Sequence, residues 1–370
     1  MSTKVKRSKL ANVQVGREFN VKALHSEMQI LREAGEDVTL KGYLAENWGE
    51  DLTPEKFYAS LGVDLKSTNI HKLLSMTDLN KYLVPEIIRD AIRIGLEYSP
   101  FFPTLVTSNE AIDSQGVTMP SMDFTTQDPA EVRLRDVNES ASIPIGMIVT
   151  WQDKQVSVKK KARGMQQTYE SIMFTPINLA TVYFEELGTR MGSDLDTDLV
   201  GIAINGDQGD GSQSAPVIGA ATANTLLYSD IARAWMRFRK LNRTSTVMLC
   251  SEADALTIMD MAEFKRTLIP NGITPSGVTL NVTRPLPTTQ DILIHDAVPT
   301  GKIIFIDTSR AFVQLTAMPL LIETEKVVQR QLQGEYVSII TGFANVFRDG
   351  RLILDYTTNL VTNPGPSVPS

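Results

Sequence analysis

Three histidines, His25, His71 and His295, are the first residues to weigh for chemistry, because an imidazole can bind a metal or move a proton near neutral pH. They stand far apart and share no ligand spacing, so no metal centre is expected from them. Asp194, Asp196 and Asp198 offer carboxylates at alternate positions. On a helix only Asp194 and Asp198 share a face, which predicts a solvated acidic surface rather than a ligand set. Gly206-Asp207-Gln208-Gly209-Asp210-Gly211 has the composition of a phosphate or calcium loop. It follows a helix pattern instead of a strand, and it lacks both the lysine of a P-loop and the ligand spacing of an EF-hand, so a turn is expected. Cys250 is the single cysteine and sits in an apolar, strand-like run, which predicts a buried structural thiol and excludes a disulfide framework or a CxxC motif. No nucleophile, base and orienting acid come together, so no catalytic residue, cofactor or metal is expected.

The chain that must position whatever function remains has 370 residues, enough for one large or two smaller cores. Hydrophobic residues make up 42% and charged residues 21%, the balance of a globular protein. With 43 acidic against 36 basic side chains the formal charge is -7, so a nucleic-acid groove would have to be local. Lys4, Lys6, Arg7 and Lys9 could touch DNA or a scaffold, or form a solvated basic terminus. No apolar stretch and cleavage site follow them, so no secretory signal is expected. Runs such as 303–306 and 318–322 fall far short of the roughly 20 residues that cross a bilayer.

Residues 1 to 75 predict short helices joined by turns. Val21, Leu24, Met28 and Leu31 keep three- and four-residue spacing before Gly35, and Thr53-Pro54 opens a second helix carrying Phe57, Tyr58 and Leu61. A further helix is expected from Pro85, stopped by Ser99-Pro100-Phe101-Phe102-Pro103. Helical periodicity then lapses. Residues 117–124 and 146–161 alternate like strands, with Val156 and Val158 on one side, and predict a long hairpin whose polar connection spans Thr125 to Pro144. Two isolated strands are marginal in water, so a neighbouring molecule is expected to cover them. Thr175-Pro176 opens the strongest helix, with Leu179, Tyr183, Leu187, Met191, Leu195, Leu199 and Ala203 repeating every four residues as far as Asn205-Gly206. Beyond it Ser229 is expected to cap a helix bearing Ile231, Trp235, Phe238 and Leu241. Residues 246–250 read as a strand, Ser251 and Asp254 have capping-box spacing, and 292–294, 302–307 and 336–340 read as further strands. The tail after Tyr356 has no charge and three prolines, and is expected to be extended.

Particular residues give this order of parts a family character. They are Glu139-Ser140-Ala141 after the loop tip, then Lys159 to Ala162 followed by Gln167-Thr168-Tyr169-Glu170. The helix ending in Ala203-Ile204-Asn205-Gly206-Asp207 follows, then Leu227-Tyr228-Ser229-Asp230 and Val247-Met248-Leu249. Over roughly residues 80 to 355 the succession resembles the HK97-fold major capsid proteins of tailed bacteriophages. The resemblance implies an α+β, HK97-like capsid fold. Residues 1–110 would be an N-terminal arm with short helices and 111–165 an extended β-hairpin loop. Residues 166–205 with 325–350 would form a peripheral domain with a long spine helix, 206–325 an axial domain, and 351–370 a C-terminal strand and extended tail.

It implies a structural protein without enzymatic activity, self-assembling through hexamers and pentamers into the icosahedral head that encloses a double-stranded DNA genome. Assembly would take place in the host bacterial cytoplasm and the product would be the virion. Scaffold, portal and decoration proteins would be further partners, DNA would be packaged without sequence-specific binding, and no membrane or cofactor would be involved. Arg133, Arg135, Asp136 and Glu139 near the loop tip, with Lys154, Lys159, Lys160, Lys161 and Arg163 near its base, are the expected inter-subunit contacts. A solvated charged hairpin is the competing view, and exposed pairs contribute only about 0 to 1 kcal/mol each. Some capsids of this family link the loop to a neighbour through a lysine-to-asparagine isopeptide bond. No lysine lies between Lys81 and Lys154, so a non-covalent shell is expected. A shell subunit of the encapsulin type is the second reading, for which a shorter arm and an interior cargo pocket would be expected, and a hydrolase is a distant third.

Overall fold

The computed structural model describes residues 14–15, 18–19, 21–33, 38, 40–48, 54–61, 77–98, 100–121, 136–139, 152–168, 170, 177–208, 213–261 and 290–366. Its first elements are strands β1 (Gln14–Val15) and β2 (Glu18–Phe19) and helices α1 (Val21–Glu33), α2 (Leu40–Trp48), α3 (Pro54–Ser60), α4 (Thr77–Tyr98) and α5 (Phe102–Leu105). Strands β3 (Val106–Ala111), β4 (Gly116–Ser121), β5 (Gln152–Ser157) and β6 (Lys159–Thr168) lead to the long helix α6 (Ile177–Asn205). Then come β7 (Val217–Ala220), α7 (Tyr228–Lys240), β8 (Val247–Cys250), α8 (Glu252–Asp260), β9 (Asp291–Ile294), β10 (Lys302–Ile306), β11 (Phe312–Val327), β12 (Leu332–Asn345) and β13 (Arg351–Asn359). They fall into two compact units. One comprises Met1–Pro100, Lys159–Asp194 and Thr316–Thr341, the other Phe101–Val158, Leu195–Leu315 and Gly342–Ser370.

In the first unit the narrow apolar stripe of α1 suffices to anchor it. Leu24 and Met28 are buried with Leu40, Tyr43 and Leu44 of α2, Phe57 and Tyr58 of α3, and Ile87 of α4. Pro54 occupies the first turn of α3, where its missing N–H costs nothing. Pro85 behaves differently from expectation: α4 begins at Thr77, so this proline lies inside the helix and the carbonyl four residues before it loses its usual donor. The next turns of α4 bury Ile88, Ala91 and Ile92 against Phe184, Leu187 and Met191 of α6 and Val337 of β12. The two helices touch through glycines. A Cβ on Gly95 would stand 1.9 Å from the Glu185 carbonyl oxygen, and one on Gly188 would stand 2.0 Å from that of Ile92. Thr189 Oγ1 donates across the same crossing to the Gly95 carbonyl at 3.3 Å. Beneath the helices β12 pairs antiparallel with β6 without a break from Leu332↔Thr168 to Thr341↔Lys159.

The second unit is built on a mixed sheet ordered β7-β13-β10-β8-β9. Its β10 segment KIIFI is apolar at both phases of the alternation and is buried from Ile303 to Ile306, as a central strand covered on both faces requires. Met248, Cys250, Ile303, Phe305, Leu352 and Leu354 point to one face. There Ile231, Ala234 and Phe238 of α7 and Ala255 and Ile258 of α8 cover them. Ser251 caps α8 as expected, accepting the Asp254 N–H at 3.3 Å. Ser229 does not cap α7. The N-cap is Leu227, and Asp230 supplies the capping carboxylate, accepting from Leu227 N–H at 3.3 Å and Ala221 N–H at 2.9 Å. The end of α6 matches the sequence: Gly206 adopts φ +83°, and its N–H donates to the Ile202 carbonyl at 2.8 Å.

The hairpin expected from the alternation is present at its stem. β4 and β5 pair antiparallel from Gly116↔Ser157 to Ser121↔Gln152. The expected connection, Thr125 to Pro144, lies outside the described residues except for 136–139. One face of the stem is covered by the chain itself, because Val156 is buried with Leu315 and Ala344, with Met119 and Val158 packed beside them.

Candidate functional site

The residues first weighed for chemistry are dispersed. His25 Nδ1 lies 3.3 Å from the Glu86 carboxylate. His71 is outside the described residues. His295 Nδ1 accepts the Ala297 N–H at 3.1 Å, and its ring meets that of Phe101 edge-on at 5.4 Å. Cys250 is fully buried, and burial pushes its thiol up to about 11, which leaves it protonated and unreactive at neutral pH. Among the described residues no group of three His, Cys, Asp or Glu side chains could hold a metal ion.

Two of the carboxylates do something the sequence did not suggest. Asp196 was expected on a solvated face and is buried instead. It accepts the N–H groups of Phe102 at 2.9 Å and Phe101 at 3.3 Å. Burial raises its pKa and those two amides partly offset the rise. Asp207, expected in a flexible turn, is the acceptor of a buried ion pair with Lys154, whose side chain is 4% exposed against 1% for Asp207. The Lys154 ammonium also donates to the Asn345 carbonyl, and Asp207 accepts the Asn345 N–H at 2.9 Å. Burial pulls the Lys154 pKa down, and the Asp207 carboxylate counters it.

Arg351 extends this buried polar group. Its guanidinium donates to the carbonyls of Ile202, at 2.6 Å, and Gln213. It also lies over the Phe312 ring, 5.9 Å from the centroid. Burial lowers its pKa to about 9, with the Asp207 carboxylate countering part of the shift. Nearby in the fold, Arg243 clasps Asp349 with two hydrogen bonds of 2.8 and 3.1 Å, both side chains being buried. These groups tie the hairpin stem, the end of α6 and the strand β13 into one unit. Most of their donors and acceptors are engaged with one another, Asp207 Oδ1 and Arg351 Nε being the buried atoms left without a hydrogen-bond partner, so the arrangement chiefly fixes geometry.

The expected contact residues separate into three sets. Arg133 and Arg135 lie outside the described residues, whereas Asp136 and Glu139 are exposed. Lys154 must be withdrawn from the set, because its charge is spent inside the subunit on Asp207. Lys159, Lys160 and Arg163 are exposed on β6, and Lys161 is half-buried, donating to the Asp194 carbonyl at 2.9 Å. β6 stands at the end of its sheet, so among the described residues its outer edge has no strand partner. The Lys154 pair had a signal in the sequence. Lys154 falls in phase with Val156, and in a strand residues two apart share a face, so the lysine belongs to the buried side.

Against this geometry the comparisons with known proteins can be set. No family model matches the chain, and no curated protein does. Solved structures do match. The capsid of an empty GTA particle superposes with a TM-score of 0.50 at 10% identity, covering 70% of this chain and 89% of that one. The capsid of Cyanophage P-SCSP1u gives 0.48 at 12% identity over 70% and 89%. The holo-SrpI encapsulin complex from Synechococcus elongatus PCC 7942 gives 0.46 at 12% identity over 70% and 88%. At such identities the likeness is one of fold. The chain is an α+β protein with the HK97-like capsid fold. None of the described helices is long and apolar enough to cross a membrane.

Proposed function

We propose that this chain is the major capsid protein of a tailed bacteriophage. It assembles through hexamers and pentamers into the icosahedral head around double-stranded DNA, and it has no catalytic role. The observation that carries the proposal is the capsid fold itself, matched over 89% of the GTA capsid chain. The absence of a cluster able to hold a metal among the described residues is compatible with it.

In this proposal residues 1–110 act as the arm and 111–165 as the extended loop. Residues 166–205 with 325–350 form the peripheral domain, 206–325 the axial domain, and 351–370 the closing strand and tail. Exposed Asp136 and Glu139 meet basic residues of a neighbour such as Lys159, Lys160, Lys161 and Arg163, while Arg133 and Arg135 meet acidic ones. The shell forms in the host cytoplasm and is held by non-covalent contacts. Portal, scaffold and decoration proteins complete it, and the DNA is enclosed without sequence reading.

Electron microscopy of the purified chain tests the proposal: closed shells are expected, and a monomer at high concentration refutes it. The contents of nuclease-treated particles then separate the phage head from an encapsulin-type compartment. Protected DNA supports the former, and protein cargo without DNA supports the latter.

A further inference from the structure

The mixed sheet of the second unit has two outer strands, β7 and β9, and an outer strand presents backbone groups that can pair with another chain. β9 is short and has exposed charges beside it, Asp291 and Asp296, which discourage an incoming strand. β7 has no such protection. Its sequence is VIGA, and no charged residue stands between Asp210 and Asp230. An uncharged, apolar edge is the kind that recruits other strands.

The chain covers this edge with its own end. β13 pairs with β7 in parallel and the pairing continues through Leu360, whose N–H donates to the Ala220 carbonyl at 2.9 Å and whose side chain packs on the core. There the chain reverses. The Asn359 carbonyl accepts the N–H groups of Thr362, at 3.2 Å, and Asn363, at 2.9 Å, and Thr362 Oγ1 donates to the Asn359 side chain at 2.9 Å. After the turn the Gly219 N–H donates to the Asn363 carbonyl at 2.8 Å, and Ile218 and Pro364 form an antiparallel bridge. With β13 on one side of β7, this bridge occupies the other. The close approach needs Gly219, since a Cβ there would stand 2.4 Å from the Asn359 carbonyl oxygen.

The returning segment, residues 361–366, is itself a poor template. Pro364 and Pro366 have no N–H to offer, and Gly365 between them leaves strand conformation at φ +85°. The segment therefore pairs with β7 and ends the ladder. Core packing does not account for it, because Val361 is 91% exposed and Pro364 is exposed as well.

We propose that residues 361–366 are a guard strap, which occupies the β7 edge and keeps the sheet from adding a strand of another chain. Its two prolines do for this edge what charge does for β9.

Two variants test the strap, with thioflavin T fluorescence reading fibre growth and circular dichroism melts reading the fold. A chain ending at Leu360 should form fibres roughly tenfold faster than the full-length chain. P364T/P366T should do the same, because it keeps the strap but gives it two N–H donors. Both should still melt cooperatively. Electron micrographs separate fibres from closed shells, so the result does not depend on the shell proposal. Fibre growth at the wild-type rate in either folded variant overturns the inference. Should the shortened chain lose its cooperative melt, P364T/P366T alone decides, since it leaves Asn363 and Gly365 in place.

Discussion

Lys154 and Asp207 provide the sharpest test of how the hairpin stem is held. Neither side chain has more than 4% of its surface in contact with water, so each charge depends on the other and on Asn345, with the buried Arg351 guanidinium favouring the Asp207 carboxylate and opposing the Lys154 ammonium. Lys154→Met keeps the length of the stem but leaves the Asp207 carboxylate with the Asn345 N–H at 2.9 Å as its remaining donor. Removing one partner of a buried pair costs about 3 to 5 kcal/mol, because the other charge stays desolvated. Asp207→Leu should cost a similar amount, since it strands the ammonium on one carbonyl.

The double variant K154M/D207L removes both charges. It should recover part of that loss, retaining the penalty of an unpaired Asn345 N–H, about 1 to 3 kcal/mol, and that of an Arg351 guanidinium deprived of the Asp207 charge. Urea unfolding of dilute, unassembled subunit, followed by fluorescence, measures each corner of the cycle. Thermal melts should fall by about 6 to 20 °C for either single change, at roughly 2 to 4 °C per kcal/mol for a unit of this size. Single variants that lose less than about 1 kcal/mol, or a double variant equal to the sum of the singles, would refute the assignment of Lys154 to the interior.

Three further outcomes follow from the same geometry. Cys250 should resist alkylation in the native protein at pH 8 and react at the rate of a free thiol in urea; mass spectrometry after iodoacetamide reads both. Gly188→Ala should destabilise the first unit by about 1 to 3 kcal/mol, since its Cβ would press on the Ile92 carbonyl at 2.0 Å, while Gly201→Ala, which meets nothing within 4 Å, should be neutral or mildly stabilising in the same denaturation assay. Tyr356 donates to the buried Asp254 carboxylate at 2.6 Å, and burial together with that acid pushes its phenol up to about 12. A raised folded pKa means stability that is complete below pH 10 and lost as pH climbs from 10 towards 12, so Tyr356→Phe should be less stable at pH 8 and should flatten the alkaline slope.

Much of the fold could be read from patterns that report backbone chemistry directly. Pro54 announced a helix start and Gly206 a helix end because each residue type suits one position of a terminus. The alternation around Val156 fixed the hairpin stem, and the apolar run 303–306 fixed the central strand. Elements whose sequence mixes signals were missed. β11 runs for 16 residues, yet its run Met318–Ile322 with Pro319 hides any alternation, and only its partners in the sheet make it a strand. Pro85 reads in the sequence as an opening residue, yet α4 begins at Thr77, because packing of Ile87, Ile88 and Ile92 supports a helix that passes through the proline.

The candidate site was legible in a different measure, and the reason is the treatment of charge. A sequence reading assigns charged residues to the surface, which suited Lys159, Lys160 and Arg163. It failed for Lys154, Asp196 and Asp207, whose burial depends on partners far away in the chain, at Asn345 and Phe102. Such partners leave no local pattern beyond phase in a strand. The fold itself shows the same asymmetry on a larger scale. At 10% identity the chain still superposes on a GTA capsid chain with a TM-score of 0.50, so the backbone is shared where few residues are. The buried charges are therefore where the loss of a single partner should be felt most, because the charge left behind stays desolvated.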